Sequence, residues 1–264
     1  MNLIYSCVFV NENYIKLLEN LIQSYDKFNK NSDVCYLIIT YEKFESAIKK
    51  SMQNIDFKKY DIWLLDVCNS LTNKENIYEA TCMRYYIYDY PKINQYQKIL
   101  YLDCDIIVLG NLDGIFDVCI EDMLYFVHEK MHRYNHCSLF TDEEYNNLSS
   151  NSSFTTAIML FNNNNIVTKY LENIYIYIKE FKSIFPNPLP AYDQPIVNKL
   201  CIYKQVSNNT MLNNLCFNMA AEDTEDNIIL LYNSNYKVVH FATKVGDCES
   251  KLERSLFVQE LINM

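Results

Sequence analysis

One segment carries the clearest pattern in the chain: Lys98-Ile-Leu-Tyr-Leu-Asp103-Cys-Asp105-Ile-Ile-Val-Leu-Gly110-Asn-Leu-Asp113. It begins as an apolar strand and runs directly into two aspartates spaced i, i+2. In extended chain this spacing places both carboxylates on one side, at the strand end where open α/β sheets bind ligands. Two such carboxylates favour a cation between them, and hard oxygen ligands suit Mg²⁺ or Mn²⁺. A pair of solvated loop aspartates with helix-capping roles is the alternative for this pattern alone.

Strands and helices alternate on the N-terminal side of this segment. Apolar runs and helical spacing there predict strands at 3–10, 34–39 and 61–67 and helices at 11–28, 42–52 and 76–90. Such alternation implies right-handed βαβ crossovers and a mainly parallel sheet flanked by helices. We therefore expect an α/β fold.

The C-terminal side is more mixed. The pattern predicts strands at 123–127, 154–161, 228–232 and 237–241 and helices at 166–181, 193–201 and 252–262. The Asn- and Ser-rich stretch 138–153 is expected to be a mobile loop. Neither a linker nor an internal repeat interrupts the chain, so we expect a single domain over residues 1–264.

Composition excludes several classes of protein. The chain has only three glycines, Gly110, Gly114 and Gly246, and their spacing matches neither the G-x-G-x-x-G dinucleotide fingerprint nor a glycine-rich phosphate loop. A net charge of −10 argues against nucleic acid as a partner, because phosphate binding is driven by Lys and Arg. A polyanionic nucleotide remains compatible with an acidic chain when a divalent cation mediates the contact.

The cysteines and the N-terminus indicate a reduced compartment. Ten cysteines are present without any C-x-x-C spacing, which fits neither a zinc ribbon nor a disulfide scaffold. The N-terminal residues lack a basic region and a cleavage site, and no apolar run approaches the ~18 residues of a membrane span. We expect a cytoplasmic protein without a membrane span.

The central segment, YLDCDIIVLGNLDGIF, resembles the corresponding segment of the family 8 glycosyltransferases, which include glycogenin and bacterial lipopolysaccharide galactosyltransferases. The resemblance implies a single GT-A (Rossmann-like) domain and metal-dependent transfer of a sugar, with retention, from a UDP-sugar. Asp103 and Asp105 would hold Mn²⁺, with Mg²⁺ as the alternative, and Asp103 and Cys104 would lie beside the nucleotide. Glucose is the expected sugar. The acceptor, carbohydrate or protein, stays open and includes glycogenin-like self-glucosylation, and a homodimer is left open as well.

The same resemblance implies a uridine site near the N-terminus. Val8-Phe-Val10-Asn11-Glu-Asn-Tyr14 is similar to the family's first strand and turn. There the backbone around Val8 and Val10 would read the uracil edge, Asn11 would contact the nucleotide, and Tyr14 would stack on the base. A core position on the following helix is the alternative for Tyr14.

Further residues acquire roles only through the resemblance. Arg84 looks like the family's cation that touches donor sugar or phosphate, and Thr155 and Thr156 stand where the family has its F-N-[ST]-G sugar contacts. Asp193 and Gln194 are similar to the family's pair near the anomeric carbon. Surface exposure is the alternative for Arg84, and a plain helix N-cap is the alternative for Asp193.

A late strand completes the implied metal site and also departs from the family. Val238-Val-His240-Phe resembles the family strand that ends in the third metal ligand, although a packed core histidine is the alternative. After it, glycogenin-like enzymes continue H-F-x-G-x-x-K-P-W, whereas this chain has HFATKVGDC and Gly246 at the lysine position. Lys244 is the candidate substitute for the missing diphosphate-binding lysine.

Two competing hypotheses remain. His128-Glu129-Lys-Met-His132 matches the zinc-peptidase pattern H-E-x-x-H, with His136 one turn further along a helix. The short apolar run before it favours a strand, and we rank a peptidase below a glycosyltransferase. The lost lysine also motivates a third hypothesis, a degenerate nucleotide-sugar-binding protein without turnover.

Overall fold

A computed structural model describes residues 1–30, 32–53, 55, 59–66, 77–150, 152–219, 235–242 and 248–263. The strands are β1 (Asn2–Cys7), β2 (Val34–Thr40), β3 (Tyr60–Leu64), β4 (Lys98–Leu102), β5 (Ile106–Val108), β6 (Leu124–His128), β7 (Phe154–Asn162), β8 (Ser207–Asn208), β9 (Cys216–Met219) and β10 (Val238–Phe241). The α-helices are α1 (Asn13–Asn29), α2 (Glu42–Met52), α3 (Ile77–Cys82), α4 (Asp113–Asp117), α5 (Asp142–Asn147), α6 (Asn165–Ile184), α7 (Gln194–Lys204) and α8 (Cys248–Asn263). Short 3₁₀ helices follow α3 at Met83–Asp89 and precede β4 at Ile93–Gln95.

The central sheet has seven strands in the order β3-β2-β1-β4-β7-β6-β8. The β1–β2, β1–β4, β2–β3 and β6–β8 pairs are parallel, whereas β7 runs antiparallel to both β4 and β6. The prediction of an α/β fold with a mainly parallel sheet is therefore confirmed. The β7 strand follows the expected pattern of a strand buried on both faces, since eight of its nine residues are buried.

Helix α1 shows how the core forms. Its apolar residues recur at helical spacing, and Leu17, Leu18, Leu21, Ile22 and Tyr25 are all buried against the sheet. Truncating one such fully buried leucine to alanine would cost about 2–5 kcal/mol. The continuous apolar face thus fixes the orientation of α1, and with it the position of the turn that leads from β1 into α1.

A small second sheet, in the order β5-β10-β9, brings a late segment back beside the central motif. Strand β10 pairs antiparallel with β5, with His240 opposite Ile106, and parallel with β9. The Phe241 N–H also donates to the Asp105 carbonyl at 3.0 Å. This pairing, which the strand patterns alone did not predict, carries His240 to the carboxylate pair.

Some sequence expectations need correction. The helix predicted over 76–90 is α-helical only through α3 and then tightens into the 3₁₀ helix that ends before Pro91. The stretch 138–153 contains α5, which begins at a capping box formed by Thr141 and Glu144, so this part of it is ordered helix rather than loop. The expected strand at 228–232 lies outside the described residues.

Candidate active site

A cavity of about 600 Å³ opens at the carboxyl ends of β1 and β4, within the range typical of small-molecule sites. It gathers most of the residues selected from the sequence: Val10, Asn11, Tyr14, Arg84, Asp103, Cys104, Asp105, Thr155, Thr156, Asp193, Gln194 and His240. Val8 does not line the cavity. Its backbone groups are used inside the fold, since the Val8 N–H donates to the Ile39 carbonyl at 2.9 Å and the Val8 carbonyl accepts from Thr40. Lys244 lies outside the described residues.

Three side chains in this cavity could hold a metal ion. Asp103, Asp105 and His240 each offer one ligand atom, and these atoms lie within 4.8 Å of one another. Asp105 is buried, and its Oδ1 accepts no hydrogen bond from any residue that the structure describes. The His240 Nε2 lies 3.4 Å from this oxygen. A buried carboxylate oxygen without a donor, facing an imidazole nitrogen, fits a divalent cation.

The orientation of His240 supports the same use. Its Nδ1 lies 2.6 Å from the Asn218 Oδ1, and a carbonyl oxygen can only accept, so Nδ1 carries the proton. In the neutral ring, which is the form that binds a metal, the lone pair is then on Nε2, which faces Asp105. Metal-binding histidines in proteins are usually held in this way, with the second ring nitrogen donating to an oxygen.

Asp103 is held by two neighbours at the end of β4. Its Oδ1 accepts from the Tyr101 hydroxyl, and its Oδ2 lies 3.3 Å from Nη1 of Arg84. Burial raises the pKa of Asp103; Arg84 opposes that change, whereas the charge on Asp105 adds to it. The pKa of Asp103 thus lies above its usual value even with Arg84 beside it.

Asp105 faces a cation that the sequence analysis did not select. The Lys251 Nζ, on α8, donates to the Asp105 Oδ2. Burial opposes ionisation of Asp105, but Lys251 and His240 outweigh it and hold the pKa of Asp105 well below its usual range. Burial likewise opposes the charge on Lys251, yet Asp105 raises the pKa of this lysine above its usual value. The two groups form a buried ion pair.

Arg84 lies between Asp103, at the end of β4, and Asp193, at the start of α7. Its Nη1 donates to the Thr156 carbonyl at 2.7 Å, and its Nε donates to the Thr81 carbonyl at 2.7 Å. The same guanidinium lies 3.3 Å from Asp103 and 3.7 Å from Asp193. Arg84 is buried, so the alternative of a solvated surface arginine is wrong. It fixes the distance between the carboxylate pair and the start of α7.

Asp193 stands at the N-cap position of α7, but its side chain makes no capping hydrogen bond. Instead its Oδ2 accepts from the Tyr85 hydroxyl at 2.6 Å and lies near Arg84. The two preceding residues, Ala191 and Tyr192, both have left-handed backbone, with φ of 58° and 52°. Successive left-handed non-glycine residues are costly and cluster at functional sites. This turn directs Asp193 into the cavity.

Gln194 begins a hydrogen-bonded chain that ends at the metal-ligand candidates. Its Nε2 donates to the Glu129 Oε2 and, at 2.9 Å, to the Phe154 carbonyl. The other oxygen of Glu129 accepts from Asn218 Nδ2 at 3.2 Å, and Asn218 in turn accepts from His240. Glu129 therefore holds Gln194 and, through Asn218, the orientation of His240.

The candidate nucleotide end lies where β1 turns into α1. Val10 has a φ of 70°, an outlier for a β-branched residue, and the Asn11 N–H donates across it to the Phe9 carbonyl at 2.8 Å. This tight turn presents Asn11 and Tyr14 to the cavity. The ring of Tyr14 is partly buried, packs against the core and also lines the cavity, and its stacking on a base stays a prediction.

The H-E-x-x-H segment has no helix to present its histidines together. His128 ends β6 and its Nδ1 lies 3.0 Å from the Ser153 carbonyl, while His132 lies in irregular chain directly before a turn. His136 contacts the Lys130 carbonyl at 2.7 Å and lies 3.7 Å from Glu129. Within the described residues, the only group of three or more metal-binding side chains is Asp103, Asp105 and His240. Nothing in the structure supports the metallopeptidase hypothesis.

Sequence reasoning missed three contributors to this cavity or its support. Lys251 belongs to a helix expected only from residue 252 onward, and no motif marked it. Asn218 carried no local signal. The sequence marks Glu129 only through the peptidase pattern, although a charged residue directly after an apolar strand is a usable signal for this edge of the sheet.

The sheet order and the cavity at its carboxyl edge define an α/β protein that binds its ligand at the ends of the parallel strands. Residues 2–245 match the family described as glycosyl transferase family 8. The chain belongs to this family, and the resemblance drawn from the central segment is confirmed.

Solved structures agree in fold. The chain is similar to a galactosyltransferase, LgtC, in complex with donor and acceptor sugar analogs, with 17% identity and a TM-score of 0.62 over 100% of this chain and 97% of that one. It is also similar to mouse xyloside xylosyltransferase 1, with 13% identity and a TM-score of 0.61 over 94% of this chain and 98% of that one. Among proteins with curated descriptions, none matches the sequence closely. Within the described residues, no helix has the length and apolar character needed to cross a membrane.

Proposed function

We propose that this protein transfers glucose from UDP-glucose to an acceptor hydroxyl, with retention of the anomeric configuration. In this proposal the transfer requires a divalent cation, and Mn²⁺ is the preferred one. The observation that carries the proposal is the convergence of Asp103, Asp105 and His240 in one cavity with Asp193 and Gln194. When bound there, Mn²⁺ would supply Lewis-acid stabilisation of the departing diphosphate. Family membership supports the transfer of a sugar.

The residues at the β1–α1 turn bind the nucleotide in this proposal. Asn11 and Tyr14 line the cavity on that side, and the Tyr14 ring offers a face on which a base can stack. The left-handed Val10 holds the turn in a fixed shape before any ligand arrives. A turn that is already formed reduces the entropy lost on binding.

The residues at the start of α7 act on the sugar. Asp193 is only 2% exposed and stays close to Arg84 and Tyr85, so its carboxylate is oriented before substrate binds. A fixed negative charge there stabilises positive charge that develops at the anomeric carbon in the transition state. Gln194, held by Glu129, contacts the sugar beside it, and Thr155 and Thr156 form the cavity wall behind the sugar.

Tyrosine side chains of the protein itself are candidate acceptors. The chain has 23 tyrosines, and Tyr134 is 84% exposed, so self-glucosylation of the glycogenin kind is included in the proposal. Incubation with UDP-glucose and Mn²⁺, followed by intact-protein mass spectrometry, tests this point. Whole-hexose mass increments support self-glucosylation, and an unchanged mass during donor turnover leaves a separate acceptor as the alternative.

Donor hydrolysis tests the proposal without knowledge of the acceptor. Purified protein is incubated with a panel of UDP-sugars in Mn²⁺, Mg²⁺ or EDTA, and released UDP is measured. We expect metal-dependent release that is fastest with UDP-glucose and lost in Asp105→Asn. The matched control is Asp142→Asn, because Asp142 is exposed and its substitution removes the same charge outside the cavity. UDP binding without release from any donor would favour a degenerate binding protein.

A further inference from the structure

Helix α8 carries a lysine into the active-site cavity, beyond the residues that match the family. The Ser255 hydroxyl of α8 accepts a hydrogen bond from Asn20 of α1 at 3.0 Å, which fixes the helix against the fold. Lys251 is only 7% exposed, and its ammonium group contacts Asp105. A buried lysine is costly unless it has a charged partner, so this position is built for a charge.

Asp103 and Asp105 each lie beside one positively charged side chain of the protein. Arg84 lies 3.3 Å from Asp103, and Lys251 donates to Asp105. The two arrangements differ. Arg84 also donates to the Thr81 and Thr156 carbonyls. Within the part of the chain that the structure describes, the Lys251 ammonium group donates a hydrogen bond only to Asp105. Of these two cations, Lys251 is therefore the one that can leave its carboxylate.

A divalent cation at the Oδ1 of Asp105 would share one carboxylate with Lys251, whose ammonium group contacts Oδ2. If the ammonium group stays nearby, it repels the metal, since like charges in a buried site interact strongly. A diphosphate removes that repulsion because its oxygens accept the hydrogen bonds that Asp105 gives up, and charge-assisted bonds of this kind are strong. Metal and diphosphate together therefore suit the cavity better than the metal alone.

We propose that Lys251 couples the two binding events: it holds Asp105 while the site lacks metal, opposes binding of metal alone, and moves to the diphosphate when metal and nucleotide bind together. This inference rests on the proposed function for its nucleotide half. By linkage, metal raises the affinity for UDP by the same factor by which UDP raises the affinity for metal, and Lys251 enlarges that factor.

Metal binding without nucleotide tests the first half. Mn²⁺ affinity is measured by the loss of the free Mn²⁺ electron paramagnetic resonance signal, for wild type, Lys251→Met and Lys199→Met. The Lys199 ammonium group lies 3.1 Å from Glu144 and outside the cavity, so its substitution removes an equal charge from an ion pair. We expect Lys251→Met to bind Mn²⁺ on the order of tenfold more tightly, which corresponds to about 1.4 kcal/mol, and Lys199→Met to match wild type. Equal or weaker Mn²⁺ binding by Lys251→Met would overturn the inference.

UDP titration at saturating Mn²⁺ tests the second half. We expect Lys251→Met to bind UDP about tenfold more weakly than wild type, because one charge-assisted contact is lost. Tighter metal binding together with unchanged UDP binding would overturn the coupling while leaving the proposed function intact. Wild-type protein that binds Mn²⁺ but no UDP would instead overturn the proposed function and the nucleotide half with it.

A second variant covers the case in which Lys251→Met does not fold. Lys251→Gln removes the charge and keeps an N–H donor, on a side chain one bond shorter, so that a polar group still faces the buried Asp105 carboxylate. We expect Mn²⁺ without nucleotide to raise the melting temperature of Lys251→Gln by more than it raises that of wild type. An equal rise in both proteins would contradict the competition between Lys251 and the metal.

Discussion

The sharpest test of the proposed chemistry is Asp193→Asn. In the wild type the Tyr85 hydroxyl donates to Asp193 at 2.6 Å, and asparagine keeps an oxygen that can accept this hydrogen bond. No capping hydrogen bond is lost, because the Asp193 side chain makes none. What disappears is one negative charge beside Arg84, which keeps its contact with Asp103. A charge-assisted interaction thus becomes a neutral one, and we expect the free energy of unfolding to fall by about 1 kcal/mol. In a chain of this size that lowers the melting temperature by roughly 2–4 °C.

The expected effect on catalysis is much larger. A full charge about 4 Å from a developing positive charge is worth about 4 kcal/mol at an effective dielectric constant of about 20. That energy corresponds to a loss in kcat on the order of a thousandfold. Because the interaction strengthens only as charge develops on the sugar, the affinity for UDP and the KM for the donor should change little.

The assay is steady-state UDP release from UDP-glucose in Mn²⁺, with UDP affinity and melting temperature measured on the same preparations. Asp142→Asn is the control for the same chemical change on an exposed residue. A kcat of Asp193→Asn within a few-fold of wild type would refute the electrostatic role and return Asp193 to a structural one. A large loss of both melting temperature and UDP affinity would show that the ion pair with Arg84 mainly holds the fold.

Three further outcomes are expected. Glu129→Gln should weaken Mn²⁺ affinity about tenfold, because Glu129 fixes the Asn218 amide that orients His240, and residues that hold a metal ligand in place have effects of this size. Unchanged affinity in a direct Mn²⁺ titration would contradict that role. Removing metal with EDTA should sharply weaken UDP binding to wild type in calorimetry but not to Asp105→Asn, and equal wild-type affinities with and without metal would disprove a metal-mediated contact. His132→Ala should leave UDP release unchanged, and stoichiometric zinc that disappears in this variant would reopen the peptidase hypothesis.

The local hydrophobic pattern of the sequence was sufficient to predict individual strands and helices in the central part of this fold. The strand at Lys98–Leu102 and the helix at Glu42–Met52 have the bounds that hydrophobic spacing predicted. The carboxylate pair after β4 could be selected for the same reason, since spacing along one strand determines which side chains share a side. Residue-by-residue resemblance then indicated His240 and Asp193, but it could not show what either side chain contacts.

The tertiary structure alone decided which distant residues meet. His240 reaches Asp105 because β10 pairs with β5, and such long-range pairing depends on the energy of the whole assembled sheet rather than on either strand's own pattern. Asp193 contacts Tyr85 and Arg84 instead of capping α7 because the left-handed turn before it sets its direction. Lys251 stands at Asp105 because α8 packs on α1, and no spacing within α8 marks which of its residues will face a cavity built from other elements.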